Sequence, residues 1–264
     1  MAKFDLAVLG GGPGGYVAAI RSAQLGLKTC IIDKDKLGGI CLNWGCIPTK
    51  ALLKNAEVYH IIKHAYIYGI KVENVSVDFK KNIQRSRDIS NRLSKGIEFL
   101  MKKNKITHIT GFGKLTSKTS LEVKNKQKID TIEADKIILA TGARPRSFPG
   151  MEFDGNRVIS FKEAMVLDSP PKKMIIIGSG AIGSEFAYYY NEFGTEVHMI
   201  EMLDRILPIE DADVSKEVEK SFKKSNIKIS TGTKVSKIES LKTKVKVHTE
   251  RNGKEEILEG DLAL

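Results

Sequence analysis

One unit of sequence occurs twice in this chain, and the repetition constrains its fold more than any other feature. Phe4 to Leu9 is an apolar run that enters the turn Gly10, Gly11, Gly12, Pro13, Gly14, Gly15, and Tyr16 to Leu25 has helical character closed by Gly26. Thr29 to Ile32 is a second apolar run, and it delivers Asp33 at its end. The landmarks Gly10, Gly12, Gly15, Gly26 and Asp33 return 168 residues later, at the same spacing, as Gly178, Gly180, Gly183, Gly194 and Glu201. In such a unit the glycine turn lets backbone N–H groups and a helix N-terminus approach a pyrophosphate, while the terminal acid accepts hydrogen bonds from ribose hydroxyls. One copy alone could serve only tight packing of strand against helix. Two full-length copies with terminal acids point to two dinucleotide sites in an α/β protein with two Rossmann-like domains.

Between the copies lies a long amphipathic helix with Ile83, Ile89, Leu93, Ile97 and Leu100 on its expected inner face. Strand-like stretches follow around Ile106 to Lys114 and Ser120 to Ile132, and Ile137 to Ala140 reads as another buried strand. Pro145, Pro149 and Gly150 mark a connection, which places the domain boundary near residue 150: residues 1–150 form one domain and 151–264 the other. No apolar stretch approaches the roughly 18 to 20 residues that span a bilayer, so neither a membrane anchor nor a membrane partner is expected, and the expected compartment is cytoplasmic. The net charge of +11 comes mostly from scattered lysines rather than a basic stripe, and no nucleic-acid-binding module accompanies it, so no nucleic-acid partner is expected. Three cysteines are too few for a secreted disulfide framework. Cys30 sits in an apolar run and reads as a small core residue.

The most specific segment runs from Gly38 through Lys50 as GGICLNWGCIPTK. Two cysteines at this spacing, near the start of an apolar helix through Ala51, Leu52 and Val58, suit a small redox-active loop, because a helix N-terminus favours the thiolate that exchanges with disulfides. No CxxC or HxxxH set stands nearby to complete a zinc site, and no metal is expected. The segment resembles the redox-active signature of the dihydrolipoyl dehydrogenase family, within the class I pyridine nucleotide-disulfide oxidoreductases that also include glutathione and mercuric reductases. The likeness covers the whole chain in motif order, and Leu42 with Ile47, Pro48 and Thr49 resembles the first of these more than the other two.

The resemblance implies a fold of three-layer ββα type, an FAD-binding domain followed by an NAD-binding domain, with a carboxyl-terminal dimerisation domain absent from this chain and the second domain cut short. It implies that Cys41 is the interchange thiol that meets a dithiol substrate and that Cys46 is the charge-transfer thiol against the isoalloxazine. Lys50 is implied to lie near flavin N5, paired with Glu185. The FAD residues so implied are Gly10, Gly12, Gly15, Asp33, Lys34, Lys50, Gly113, Thr141 and Gly142. Those for NAD are Gly178, Gly180, Gly183, Glu185, Glu201 and Val235. Glu201 suits free ribose hydroxyls and repels a 2′-phosphate, which favours NAD over NADP, while Arg205 resembles an arginine found beyond the acid in NAD-using relatives. The implied reaction passes electrons from a protein-bound dihydrolipoyl dithiol to the Cys41 and Cys46 disulfide, to FAD and to NAD. The implied partner is a lipoyl-bearing protein of a 2-oxoacid dehydrogenase or glycine cleavage complex, and the parent enzyme is expected to be a homodimer.

The family also uses a histidine paired with a glutamate five residues later as the base toward the dithiol. His60, His64, His108, His198 and His248 are followed at that distance by Ala65, Gly69, Gly113, Leu203 and Gly253, so none fits. The chain alone is therefore expected to turn over poorly or not at all, and a non-catalytic nucleotide-binding fragment is the alternative reading.

Overall fold

A computed structural model of the chain describes residues 2–126 and 128–264. They form two compact units, Met1–Pro48 with Ser86–Arg144 and Thr49–Arg85 with Pro145–Leu264. The sequence division at residue 150 assigns residues 49–85 to the first domain, whereas by contact they pack with the second unit. The reason is hydrophobic: Leu52, Ala56, Phe79 and Ile83 are buried in one core with Phe186, Tyr189 and Tyr190.

In the first unit β1 (Ala2–Leu9), α1 (Pro13–Gln24) and β2 (Thr29–Asp33) form the first repeat. Next come α2 (Gly39–Trp44), the start of α3 (Cys46–Lys63) and, after the excursion into the second unit, most of α4 (Phe79–Lys103). The strands β3 (Thr107–Thr110), β4 (Phe112–Leu115), β5 (Ser120–Lys124) and β6 (Ile129–Leu139) complete a six-stranded sheet of order β3-β2-β1-β6-β5-β4. β1, β2 and β3 run parallel with β6 on the other side of β1, and β4, β5 and β6 pair antiparallel. The stretch 120–132 is thus two strands and a turn, of which Gln127 lies outside the described residues. Strand alternation divides the core in two. Leu6, Val8 and Ile31 pack with Ala19, Ile97 and Met101 of the helices, while Ala7, Leu9, Cys30 and Ile32 pack with Leu121, Val123 and Ile132. Helices therefore lie on one side of the parallel strands and antiparallel strands on the other.

The inner face of α4 differs from the one its aliphatic spacing predicts. Leu93 is exposed, and the buried positions are Phe79, Ile83, Ser86, Ser90, Ser94, Ile97 and Met101. Small hydroxyl side chains let the backbones approach closely, and Ser94 Oγ donates to the Leu37 carbonyl at 2.8 Å. A face of serines is invisible to a search for aliphatic periodicity.

The second unit repeats the layering. After α5 (Phe161–Ala164), the strands β7 (Lys173–Ile177), β8 (Glu196–Ile200) and β9 (Lys228–Ser230) alternate with α6 (Ala181–Glu192) and α7 (Ala212–Lys224). β10 (Lys234–Ser240), β11 (Val245–Arg251) and β12 (Lys254–Gly260) form an antiparallel meander, and β13 (Leu262–Ala263) joins the parallel sheet in the order β13-β7-β8-β9. Met174, Ile176 and Met199 face Phe186, Tyr189 and Tyr190, while Ile175 and Ile200 face Val235, Val245 and Val247 of the meander. Both repeats thus sit in the same three-layer ββα arrangement.

Candidate functional site

The two glycine turns are alike in detail. Gly10 N–H donates to the Ile32 carbonyl and Gly178 N–H to the Ile200 carbonyl, each at 2.8 Å, so each turn is anchored to the neighbouring strand. A Cβ on Gly15 would fall 1.8 Å from the Gly10 oxygen, and one on Gly183 would fall 2.1 Å from the Gly178 oxygen. Only glycine permits that approach of helix to turn. The helices that follow, α1 and α6, begin at Gly12 and Gly180 with no side-chain cap, whereas α5 and α7 are capped by Ser160 and Asp211. Uncapped N–H groups at the positive end of a helix dipole are fitted to a phosphate. On this observation both turns fit a dinucleotide pyrophosphate.

The terminal acids have the same inward role. Asp33 Oδ2 accepts from Gly11 N–H at 2.6 Å and Oδ1 from Asp35 N–H at 2.9 Å. Glu201 Oε2 accepts from the Ser179 N–H at 2.9 Å and hydroxyl at 2.7 Å, and Oε1 from Leu203 N–H at 3.0 Å. Burial disfavours the Glu201 charge, but the N–H groups of Leu203, Ser179 and Met202 and the Ser179 hydroxyl outweigh it and hold the carboxyl below its ordinary value. It is an ionised acid whose carboxylate is satisfied largely from within the turn.

The cysteine segment is built differently from the single helix start that its spacing predicts. Cys41 lies on the short helix α2, and Cys46 opens α3 after the break at Gly45. A Cβ at Gly45 would meet the Ile40 oxygen at 3.0 Å and the Cys41 Cα at 3.1 Å, so the chain folds back on Cys41 where a side chain would hold it off. Gly39, with φ +64°, starts the segment; a Cβ there would lie 2.5 Å from the Gly12 Cα, so the redox segment and the first glycine turn are packed backbone to backbone. Asn43 ties the segment together. Its Nδ2 donates to the carbonyls of Lys36 at 3.3 Å, Leu37 at 3.1 Å and Gly39 at 3.1 Å. Cys46 is exposed and Cys41 half-buried, and both are thiols in this structure, so the disulfide expected between them is not formed here. Cys30 is fully buried, and burial pushes its thiol up to about 12.

Lys50 lies one turn beyond Cys46 on α3, and its Nζ is ion-paired with Glu185 Oε1 at the start of α6. These residues are 135 apart in sequence. Lys34, Thr141 and Gly142 are exposed, and the turn holding the last two follows Ala140, whose N–H donates to the Leu9 carbonyl beside Gly10. Gly113 is on β4 with Leu9 Cδ1 2.4 Å from where its Cβ would be, which gives it a packing role. Val235 is buried between the meander and the parallel sheet, so its side chain is committed to the core. Arg205 turns back on its own loop, donating from Nη2 to the Pro208 carbonyl at 3.0 Å.

A histidine–glutamate pair does exist that no short-range pattern announces. His60 Nδ1 is 3.1 Å from Glu192 Oε2, and Lys63 Nζ is 2.7 Å from Oε1 of the same carboxylate. Its members are 132 residues apart, which hides it from any search by fixed spacing. His60 lies nearly four turns along α3 from Cys46, too far along the helix to serve as the base for a dithiol at Cys41. Among the described residues, no group of three or more His, Cys, Asp or Glu side chains is placed to hold a metal ion.

The family described as pyridine nucleotide-disulphide oxidoreductase matches residues 4–264. A dihydrolipoyl dehydrogenase of Zymomonas mobilis subsp. mobilis is 50% identical over 229 residues, which is 86% of this chain and 49% of the relative. A dihydrolipoyl dehydrogenase of Bacillus subtilis is 43% identical over 262 residues, 95% of this chain and 55% of the relative. Of solved structures, LpdA from Mycobacterium tuberculosis has a TM-score of 0.89 at 27% identity, covering 100% of this chain and 58% of that one. The HOCl-induced flavoprotein disulfide reductase RclA from Escherichia coli, as its Cu(II) complex, has a TM-score of 0.85 at 27% identity, covering 100% of this chain and 56% of that one. The chain spans about half the length of the curated relatives it matches.

Proposed function

The chain belongs to the pyridine nucleotide-disulphide oxidoreductase family, and from that premise we propose that it forms the dinucleotide-binding part of a flavin-dependent disulfide oxidoreductase of the dihydrolipoyl dehydrogenase kind. One observation carries this reading above the others. Cys41 and Cys46 are joined through Gly45, and Lys50, one turn beyond Cys46, is ion-paired with Glu185. That arrangement supplies an exchangeable pair of sulfurs followed by a fixed cation.

In the proposed reaction a substrate thiolate attacks the Cys41 sulfur of the oxidised pair, the sulfur–sulfur bond breaks, and Cys46 leaves as a thiolate. The second substrate thiolate then attacks its own sulfur in the mixed disulfide and releases Cys41. The substrate is left as a disulfide, and the cysteine pair holds two electrons. FAD at the first glycine turn and NAD at the second would supply the two-electron carriers that take them onward. Gly10, Gly12, Gly15 and Asp33 would hold the first, and Gly178, Gly180, Gly183 and Glu201 the second. Lys50 is held by Glu185 in a fixed direction, ready to place a positive charge where electrons accumulate. For the whole protein we propose a lipoyl-bearing partner of a 2-oxoacid dehydrogenase or glycine cleavage complex, a homodimeric state and a cytoplasmic location. The dihydrolipoyl dehydrogenase relatives support the partner, and a chain with only three cysteines is compatible with a reducing compartment.

The test uses the purified chain with FAD added. After treatment with a thiol oxidant, Cys41 and Cys46 should resist alkylation, and anaerobic dihydrolipoamide should make both reactive again. Cysteines that alkylate equally before and after oxidant overturn the reading.

A further inference from the structure

Arg87 is the side chain that holds the middle of the cysteine loop, and no part of the reaction above uses it. It projects from α4 onto the two residues that end α2. Its Cζ lies 4.4 Å from the centre of the Trp44 ring, and its Nη2 donates to the Asn43 carbonyl. Asn43 is itself pinned through its side chain to three carbonyls, and Ser94, two turns along α4, holds one of the same carbonyls, that of Leu37. The stretch between Cys41 and Cys46 is thus gripped from one side by its own amide and from the other by a helix. Arg87 Nη1 is buried without a hydrogen-bond partner among the described residues, and burial pulls the guanidinium below its ordinary value. Arginine is suited to this post because its planar fork can lie over an aromatic ring and still donate hydrogen bonds from its own edge, which the point charge of lysine does less well.

We propose that Arg87 is a positioning residue for the Cys41 and Cys46 couple: it fixes Asn43 and Trp44 at the centre of the loop and sets a permanent positive charge there that favours the reduced, thiolate-bearing form. The inference rests on the reading of Cys41 and Cys46 as a redox pair. A nearby cation lowers a thiol pKa and makes a disulfide easier to reduce. Holding the loop rigid also fixes the distance over which the two sulfurs must meet.

The experiment equilibrates the chain with mixtures of reduced and oxidised dithiothreitol. In that exchange Cys41 and Cys46 together give two electrons and two protons to the disulfide of the oxidised reagent, which becomes a dithiol. Arg87→Met keeps an apolar stem and removes the charge, and it should shift the exchange constant toward the protein disulfide by about tenfold, equivalent to ~30 mV for this two-electron couple. The pH profile for alkylation of the reduced pair should move to higher pH. Arg87→Lys, which keeps a charge but not the stack, should fall between, and it carries the test if Arg87→Met does not fold. Trp44 is the only tryptophan in the chain, so its emission reports directly on the loop, and both variants should alter it. Variants whose exchange constant and alkylation profile overlay wild type, with only the melting temperature changed, would overturn the proposal. A wild-type chain that forms no Cys41–Cys46 disulfide under any mixture would instead overturn the redox reading, and the inference with it.

Discussion

At the end of β8, Glu201 points most of its hydrogen-bonding capacity inward, so it is part of the glycine turn as well as a candidate ribose acceptor. Its carboxyl is depressed in the folded state, so its stabilisation is fully present above the unfolded value and is lost as pH falls through the lower folded value. Glu201→Ala removes the acceptor from Ser179 and Leu203 and should cost about 1–3 kcal/mol in chemical denaturation, the usual penalty for unpaired buried donors. The same change removes the carboxylate that would oppose a 2′-phosphate. The ratio of NADPH to NADH dissociation constants, measured by calorimetric titration, should therefore fall toward one. An unchanged ratio would mean that specificity lies elsewhere. Cys30 gives a second residue-scale prediction. With its thiol pushed up to about 12 and no exposure, it should escape iodoacetamide in the native chain near neutral pH, so mass spectrometry should find label on Cys41 and Cys46 but not on Cys30 until denaturant is added.

Within elements, adjacent glycines of the first turn have opposite requirements. A Cβ at Gly14 meets nothing within 4 Å, while one at Gly15 lands 1.8 Å from a backbone oxygen. Gly14→Ala should be neutral or stabilise α1 by about 0.5–1 kcal/mol through helix propensity. Gly15→Ala should destabilise by roughly 1–3 kcal/mol or more, because the obstacle is main chain and cannot step aside. Equal melting temperatures for the two variants would contradict the close approach. In the second unit Asp154 clips its loop to β10. Its Oδ1 accepts from the N–H groups of Asn156, Arg157 and Val158 at 2.8, 2.7 and 2.9 Å, and its Oδ2 from Ser240 Oγ at 2.5 Å. Partial burial opposes the charge, but the Ser240 hydroxyl and these N–H groups prevail and lower the carboxyl from 3.8 to about 2. The clip's contribution is thus present above about pH 4 and lost as pH falls toward 2. Since the side chain is solvent-exposed, the effect is discounted to about 1 kcal/mol. Asp154→Ala should lower the melting temperature at neutral pH and flatten its decline between pH 4 and pH 2, and parallel curves for variant and wild type would remove the role assigned to this carboxylate.

Across the whole molecule the chain weaves between its units, because residues 49–85 leave the first and are buried in the second. Leu52, Ala56, Phe79 and Ile83 enter the core beside Phe186, Tyr189 and Tyr190, and each well-buried large side chain there is worth about 1.5–3 kcal/mol. Asn55 and the Ala51 carbonyl add hydrogen bonds to Arg85 at 2.9 and 3.1 Å that lock the start of α4 to α3. A protease site placed in the exposed segment 143–147 would separate residues 1–142 from the rest in sequence but not in space. The two fragments should co-elute on gel filtration until denaturant is added. Fragments that part under native conditions would show that residues 49–85 are not integral to the second unit.

The repeat of Gly10, Gly12, Gly15 and Asp33 as Gly178, Gly180, Gly183 and Glu201 was legible in the sequence because its chemistry is local. A turn, a helix start and a strand end lie within about two dozen residues, and glycine is required by backbone contacts that no other residue satisfies. The apolar runs Phe4 to Leu9 and Thr29 to Ile32 were legible for the same reason and form β1 and β2. What only the tertiary structure decided depends on residues far apart in the chain. The membership of 49–85 in the second unit, the His60 and Glu192 pair and the Arg87 grip on Trp44 each join side chains whose sequence separation carries no periodic signal, while the serine face of α4 repeats at helical spacing in a residue type that does not announce burial. Lys50 and Glu185 stand between the two cases: resemblance named both, and the physical pairing needed α3 and α6 to pack in one core. Local chemistry repeats along a sequence and can be read there, whereas packing is chosen by the shape and polarity of surfaces that exist only once the chain has folded.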